Sequence, residues 1–510
     1  MAAGLSAVLT TLVFVGAEEP QPRQEKGPPF AISKETTQIT EPLDAQGWPD
    51  YITYVDRQLS AGVTPENNSL VAILRIIGMQ EIAADLRPQA FRKLGIEPFA
   101  KDAKHRMSLG DYLRSLQPAP EVNAFWEEQT RALAGPWRDE EAPHMAKWLD
   151  ANAAQLEGLK AAIERPRYYA PLLVGKAQEE QMMLAILLPF ANQHRDVANT
   201  LAMRAYRNLG RGDVEKALAD SLLLHRLARH LASQACLIDY LVGDTVDSIA
   251  NNLDAAIAHH GKLSAAKAKA IAAELTRLPP FPSPIEKLTT ERLSTLDTLQ
   301  AVSRFGAGQL SSVFDIAGGK QDPLMQELAR NVVDWNAAMK LVNSDYERMV
   351  VAAKIPDWKK RRAAWEQAEK ERQEAGTREE RDAVDFLAAA LDGKVRARKL
   401  GRSIGRKVLD LLVIDGPAIL RCEEKSTTRR ELVQIAFALA GYRADEGKYP
   451  ANLSALVPKY LAKLPQDYYS GNDYIFRPTA AGYVLYGVGQ DGRDDGAKEE
   501  DMADFVLTVD

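Results

Sequence analysis

The sequence contains little cysteine and lacks the usual nucleotide-binding and redox motifs. Its 510 residues include two cysteines, Cys236 and Cys422, which are too few for a disulfide framework. Cys236 lies in a helical apolar pattern, so a buried free thiol is expected there, while one long-range bridge to Cys422 stays open. No Walker-type phosphate loop, no dinucleotide-binding glycine motif and no C-x-x-C pair occurs, so nucleotide and redox chemistry lack their usual residues.

Histidine is also scarce. The seven histidines all precede residue 261, and no two have the i, i+4 spacing of a zinc-protease helix. His225 falls on the apolar face of a predicted helix and is interpreted as a core residue rather than a ligand. Residues 401–405 (Gly-Arg-Ser-Ile-Gly) match the nucleophile elbow of hydrolases, which needs a buried strand before the serine and a histidine after it. Basic residues precede the segment and no histidine follows it, so we interpret the match as accidental.

Neither sign of charge dominates. The chain has 64 basic and 70 acidic residues, and the formal net charge of −6 does not favour nucleic acid as a partner. A length of 510 residues exceeds what one hydrophobic core usually serves, so two or three domains are expected.

Long hydrophobic runs are missing apart from a short one at the N-terminus. Residues 5–15 are uncharged and small residues follow, so residues 1–17 are predicted to be a secretory signal peptide, about half the length of a membrane span. This segment has no Lys or Arg, unlike the usual signal, and a buried N-terminal strand or helix is the alternative. Residues 18–35 are predicted to be a linker. We expect an exported protein, periplasmic or extracellular, with no stable membrane span after cleavage.

Helical signals dominate the middle of the chain. Thr64 followed by Pro65 is typical of a helix start, and Asp213 is expected to cap a helix whose apolar residues recur at helical spacing. Residues 36–357 are therefore predicted to form a helical body. Residues 358–425 are predicted to be a charged helical spacer and connecting helix, because both signs of charge alternate there at high density.

The last segment, residues 426–510, is predicted to be a small α+β domain with strands near 474–477 and 483–488. Its phrases resemble, in their order, the soluble head of the major pseudopilin of type II secretion systems: Asp-Glu-Gly-Lys-Tyr-Pro (445–450), Leu-Pro-Gln-Asp (464–467) and Tyr-Val-Leu-Tyr-Gly-Val-Gly-Gln-Asp-Gly (483–492). The resemblance implies a helix followed by a small antiparallel sheet. It does not extend to the apolar assembly helix of that family, since the helix entering this segment is too polar to span a bilayer.

The resemblance also implies a calcium site in the terminal loop. By that likeness, Asp491, Asp501 and Asp504 would supply side-chain oxygens, and Leu485 or a neighbour would supply a carbonyl. Oxygen ligands on a glycine-bent loop suit calcium. Two residues separate Asp501 from Asp504, whereas one residue separates the corresponding acids of that family. An exposed acidic turn without metal is the alternative.

These patterns predict a mainly α protein, with a multi-helix body and a small C-terminal α+β pseudopilin-like domain. The body resembles a group of uncharacterised secreted bacterial proteins through residues 39–43, 62–68 and 196–263, a likeness that implies no activity. We expect a non-catalytic interaction or scaffold protein related to secretion or surface assembly, with a protein partner in the cell envelope or outside the cell. The alternative is a secreted hydrolase that uses a carboxylate pair in the helical body.

Overall fold

The described chain is mainly helical, with a small antiparallel sheet near its C-terminal end. The computed structural model describes residues 27–509 except 101, 119, 176–182, 184, 185, 187, 188, 261, 306–331, 386–392, 413–415, 480, 481, 490, 491, 495 and 498–504. The predicted signal peptide and the first half of the predicted linker, residues 18–26, lie outside these residues.

The helices have these bounds in chain order: α1 Tyr51–Ser60, α2 Ser69–Ile77, α3 Arg87–Leu94, α4 Leu109–Ser115, α5 Val122–Ala134, α6 Pro143–Ala151, α7 Ala153–Ile163, α8 Pro189–Gly210, α9 Val214–Ala232, α10 Leu237–His260, α11 Ala265–Thr276, α12 Lys287–Phe305, α13 Trp335–Ala353, α14 Trp358–Asp385, α15 Gly393–Leu412 and α16 Gly416–Glu446. Two 3₁₀ turns cover Pro284–Glu286 and Leu453–Leu456. None of the helices described above is both long and apolar enough to cross a membrane.

Local capping chemistry decides where these helices begin. Asp213 caps α9, since its side chain accepts a hydrogen bond from the Lys216 N–H, and this prediction is confirmed. The helix start predicted at Thr64 is wrong. The Asn67 side chain accepts from the Thr64 N–H and donates to the Gly62 carbonyl, which closes a turn instead. The helix begins only after this turn, at Ser69, as α2.

Two hydrophobic cores organise the packing. The first core contains side chains from α2 to α11 and from the second half of α16, and the second contains side chains from α1, from α12 to α15 and from the start of α16. Ile419 and Leu420 of α16 belong to the second core, whereas Ile435 and Leu439 of the same helix belong to the first. The predicted domain boundary at 426 therefore falls inside one continuous helix that packs in both cores, and the boundary itself stays a prediction.

The helix α14, in the predicted charged spacer, is solvated on one face only. Trp365 is 2% exposed and packs in the second core, and the guanidinium of Arg361 is buried beside Glu423 and Glu424 of α16. Other charged groups of α14, such as the Arg362–Glu366 pair, face solvent, where ion pairs contribute little to stability.

The sheet consists of β1 (Ile475–Pro478), β2 (Tyr483–Gly487) and β3 (Phe505–Val509) in the order β1-β2-β3, with both pairings antiparallel. Its buried side chains Tyr483 and Leu485 join the first core together with α16. The sheet thus packs on the helical body through α16, and β3 also lies against α10.

The glycines of the 401–405 segment permit close helix packing. The segment lies inside α15, so the interpretation of the elbow match as accidental is confirmed. A Cβ added to Gly401 would lie 2.0 Å from the carbonyl oxygen of Asp334, and one added to Gly405 would lie 2.8 Å from that of Ala338. These two glycines therefore allow α15 to approach the backbone of α13.

We predict that Gly401→Ala lowers the free energy of unfolding by about 1–3 kcal/mol, because a methyl group there overlaps a main-chain atom. Urea denaturation followed by circular dichroism measures the loss. Gly393→Ala, at the start of the same helix, is the matched control, since no atom lies within 4 Å of its added Cβ. Equal losses in the two variants would contradict the packing role.

Candidate functional site

The predicted calcium loop lies only partly within the described residues. Asp491, Asp501 and Asp504 fall outside them, and their role as ligands stays a prediction. Leu485 is in the middle of β2, fully buried and paired with Phe476 and Leu507. The carbonyl ligand from Leu485 or a neighbour therefore stays a prediction as well.

A different acid, Asp494, ties the described part of this loop to the sheet. Its carboxylate accepts hydrogen bonds from the Tyr486 hydroxyl at 2.9 Å and from the Gly496 N–H at 3.0 Å. The Gly496 N–H and the Tyr486 hydroxyl lower the pKa of Asp494, so the group is a carboxylate at neutral pH. Arg477 approaches the other carboxylate oxygen at 3.3 Å.

A buried ionic cluster surrounds His225 on α9. Nδ1 of His225 lies 2.7 Å from Asp247 Oδ1, and Nε2 lies 2.9 Å from Asp254 Oδ2. Arg229 donates to Asp247 at 3.1 Å, and the Ser221 hydroxyl donates to Asp254 at 2.5 Å. We call these five residues the His225 clamp. The prediction that His225 is a core residue is confirmed, since it is 2% exposed.

The geometry of the His225 clamp identifies the protonation state of the ring. Both ring nitrogens face carboxylate oxygens, so both carry protons and the ring is an imidazolium. Burial alone would lower the pKa of His225, but the charges and hydrogen bonds of Asp247 and Asp254 raise it to about 9. Burial raises the pKa of Asp247 as well, and the opposing effect of His225 and Arg229 brings it to about 2. Two cations therefore neutralise two anions inside the protein.

The His225 clamp resembles a catalytic triad in composition but not in arrangement. Ser221 bonds to Asp254 and not to the imidazole, so the histidine is not placed to take its proton as it does in a triad. Asp254 is 0% exposed and Asp247 is 1% exposed, so neither carboxylate meets solvent. The clamp is a means of holding α9 against α10.

A second group of titratable residues lies where the chain enters α10. We call Cys236, Asp239, Lys287 and Glu291 the entry cluster. Glu291 accepts from the Leu237 N–H at 3.3 Å, Asp239 accepts from the Cys236 N–H, and Lys287 donates to the Gln234 carbonyl. Burial raises the pKa of Asp239 to about 7, against the opposing charge of Lys287, and burial also raises the pKa of Glu291.

The entry cluster has a structural role and a chemical capacity. Two carboxylates at the first N–H groups of α10 stabilise the positive end of the helix dipole. A half-buried carboxyl that titrates near neutral pH can also act as a general acid or base. Cys236 and Cys422 are both free thiols, so the structure contains no bridge between them.

An open groove of about 590 Å³ lies along α3. Arginine and apolar side chains line most of it, and Glu97 is its single carboxylate. The carboxylate pair that glycoside hydrolysis needs is therefore not assembled in this groove.

Comparison with protein-family models, with curated proteins and with solved structures gives no match for this chain. Among the residues that the structure describes, no three His, Cys, Asp or Glu side chains are grouped to hold a metal ion. Asp247 and Asp254 were not predicted as partners of His225. Their spacing of seven residues on the buried face of α10 was the available signal.

We predict that the protein loses stability as pH rises from about 6.5 to 9. The pKa of His225 is raised in the folded state, so its contribution is complete below the unfolded pKa of about 6.5 and disappears as pH passes the folded pKa of about 9. The loss attributable to this group is on the order of 3 kcal/mol.

Urea unfolding at pH 6.5 and at pH 9 measures this change. His225→Gln should be less stable at the lower pH and should lose most of the pH dependence. His105→Gln, at a partly exposed histidine that bonds to the Arg75 carbonyl, is the control and should retain it. An unchanged pH dependence in His225→Gln would refute the assignment.

Proposed function

We propose that this chain is an exported, non-catalytic interaction protein that acts as a scaffold in the cell envelope or outside the cell. The observation that carries the proposal is an exposed apolar pair on α5, Val122 and Trp126, which are 53% and 39% exposed. The pair is one helical turn apart and therefore shares one face.

The helix α5 is already anchored in the first core by its other face, so Val122 and Trp126 are left outside the core. Phe125 and Ala132 are fully buried in the first core, so the helix is already anchored by its inner face. The Trp126 ring contacts Phe125 edge-on, with 5.3 Å between ring centroids, which limits its motion. A held, exposed tryptophan loses little side-chain freedom on binding, and tryptophan is enriched among the residues that dominate protein interfaces.

The C-terminal segment supports the link to secretion or surface assembly. A long helix followed by a small antiparallel sheet agrees with the pseudopilin-like head that the sequence suggests. We extend the proposal to a calcium ion held by Asp491, Asp501 and Asp504 with a carbonyl near Leu485. Since α16 packs in both cores, this head acts as part of the whole protein and not as a filament subunit.

A second candidate function, a secreted hydrolase, is favoured by the entry cluster. Asp239 and Glu291 are two acids with raised pKa that both lie near Cys236, as expected for a general acid and its partner. Both acids also cap α10, and that role accounts for their placement without catalysis.

If the chain is an interaction protein, the double variant Val122→Asp, Trp126→Asp should lose the binding of a specific partner. The full chain is immobilised, an envelope fraction is passed over it, and the retained proteins are quantified by mass spectrometry. At least one protein should bind the wild type, and the retained amount of that protein should decrease about tenfold or more with the double variant. Val351→Asp, at an isolated exposed valine on α13, is the control and should retain that protein. If the wild type, the double variant and the control variant all retain the same proteins, the role of the α5 pair is refuted.

The hydrolase function makes a separate prediction. The wild type should cleave at least one substrate in a panel of chromogenic glycosides and polysaccharides, and Asp239→Asn with Glu291→Gln should reduce the rate about a hundredfold or more. Glu347→Gln, an exposed acid paired with Arg292, serves as the control. If the wild type has no activity on the panel, or if the double variant keeps it, glycoside hydrolysis by this cluster is excluded.

A further inference from the structure

A buried carboxylate oxygen in the C-terminal segment has no hydrogen-bond donor. Asp467 is 2% exposed and lies in the segment between α16 and β1. Its Oδ2 accepts from the N–H of Ser470 at 2.9 Å and from the hydroxyl of the same residue at 2.6 Å. Its Oδ1 accepts no hydrogen bond from any residue that the structure describes. A buried carboxylate oxygen left in this state is costly, so a partner of another kind is indicated.

The unpaired oxygen is directed at the end of β2. A Cβ built on Gly487 would lie 2.7 Å from Asp467 Oδ1 and 2.9 Å from Cε1 of Tyr474. Only glycine leaves room for both groups, so the carboxylate oxygen and the edge of the Tyr474 ring meet against the same strand residue.

Two residues of α16 lie beside the same tyrosine, Tyr474. Glu431 accepts a hydrogen bond from the Tyr474 hydroxyl at 2.5 Å. Thr428, one turn earlier and 0% exposed, lies beside the same phenol, but its hydroxyl makes no well-aligned hydrogen bond. Thr428 thus provides a second buried oxygen without a satisfactory partner, independent of the two acids.

The charges around this point are unbalanced. Asp467 and Glu431 are close enough to repel each other, and the repulsion adds to burial in raising the pKa of Glu431. Arg430 attracts Glu431, but its guanidinium donates to the Ser426 carbonyl and lies near the Thr427 hydroxyl. Among the residues that the structure describes, no Lys or Arg forms an ion pair with Asp467 or Glu431, so a cation from solution would supply the missing charge.

We propose that Asp467, Glu431 and Thr428 form a binding site for a hard divalent cation, calcium or magnesium, between α16 and the end of β2. Every donor is oxygen, which these ions prefer, and waters complete the coordination of a site with two carboxylates. None of its three residues is one of the predicted loop ligands Asp491, Asp501 and Asp504, and the proposal does not depend on export or on a protein partner.

The test uses the full chain, stripped of metal with a chelator and then titrated with calcium or with magnesium in separate arms. Calorimetry measures binding, and terbium luminescence excited through tyrosine reports a lanthanide close to Tyr474. The wild type should show a saturable site for at least one ion. Asp467→Asn, which keeps an oxygen for the Ser470 cap, should weaken that site about tenfold or more, as should Glu431→Gln.

Two controls separate this site from the rest of the segment. Asp494→Asn removes a loop acid that bonds to Tyr486 of the sheet, and the triple change Asp491→Asn, Asp501→Asn, Asp504→Asn removes the predicted loop ligands. Both control variants should retain the site. The proposal is overturned if neither ion binds the wild type at millimolar concentration, or if the triple variant loses binding while Asp467→Asn and Glu431→Gln keep it. If Asp467→Asn does not fold, Glu431→Gln alone decides the result.

Discussion

The architecture depends on one helix that takes part in both hydrophobic cores. The 31-residue helix α16 contributes Ile419 and Leu420 to the second core and Ile435 and Leu439 to the first. At about 1.5 Å per residue, its two ends are roughly 45 Å apart, so it connects distant parts of the molecule. The sheet that follows it packs in the first core, against helices formed two hundred residues earlier in the chain. The C-terminal segment is therefore structurally joined to the body.

Two sets of charged groups inside the body, around Arg207 and His225, combine cations with anions from separate parts of the chain. Arg207 on α8 lies between Asp139 and Asp150, with contacts of 2.8 and 2.6 Å, and His225 lies between two aspartates of α10. Such sets add little net stability compared with apolar packing, but each partner left alone would be a buried charge. A shift of one helix along another would separate these charges, so the sets favour a single arrangement of the helices. The pair at Asp467 and Glu431 departs from this rule, which is why it attracts a functional interpretation.

Local signals in the sequence sufficed for the helical class, for the cap at Asp213 and for the burial of His225. They failed where side chains compete for a turn, as Asn67 does after Thr64, because periodicity does not register such hydrogen bonds. They also could not identify the partners of His225, which are 22 and 29 residues away on another helix. The unpaired oxygen of Asp467 is a property of three-dimensional packing and has no sequence signal. The loop acids Asp491, Asp501 and Asp504 stay predictions.

The continuity of α16 also constrains how such a protein can evolve. A C-terminal segment joined by a flexible linker could be gained, lost or exchanged between genes with little effect on its neighbour. Here the same helix faces α10 and α11, and Gly441 lies against Ala265 and Tyr460, so the surfaces on both sides must change together. Recombination at this point would leave apolar surface uncovered on each fragment. The body and its C-terminal segment are therefore expected to be inherited as one unit, with substitutions on α10 and α11 that track those on α16.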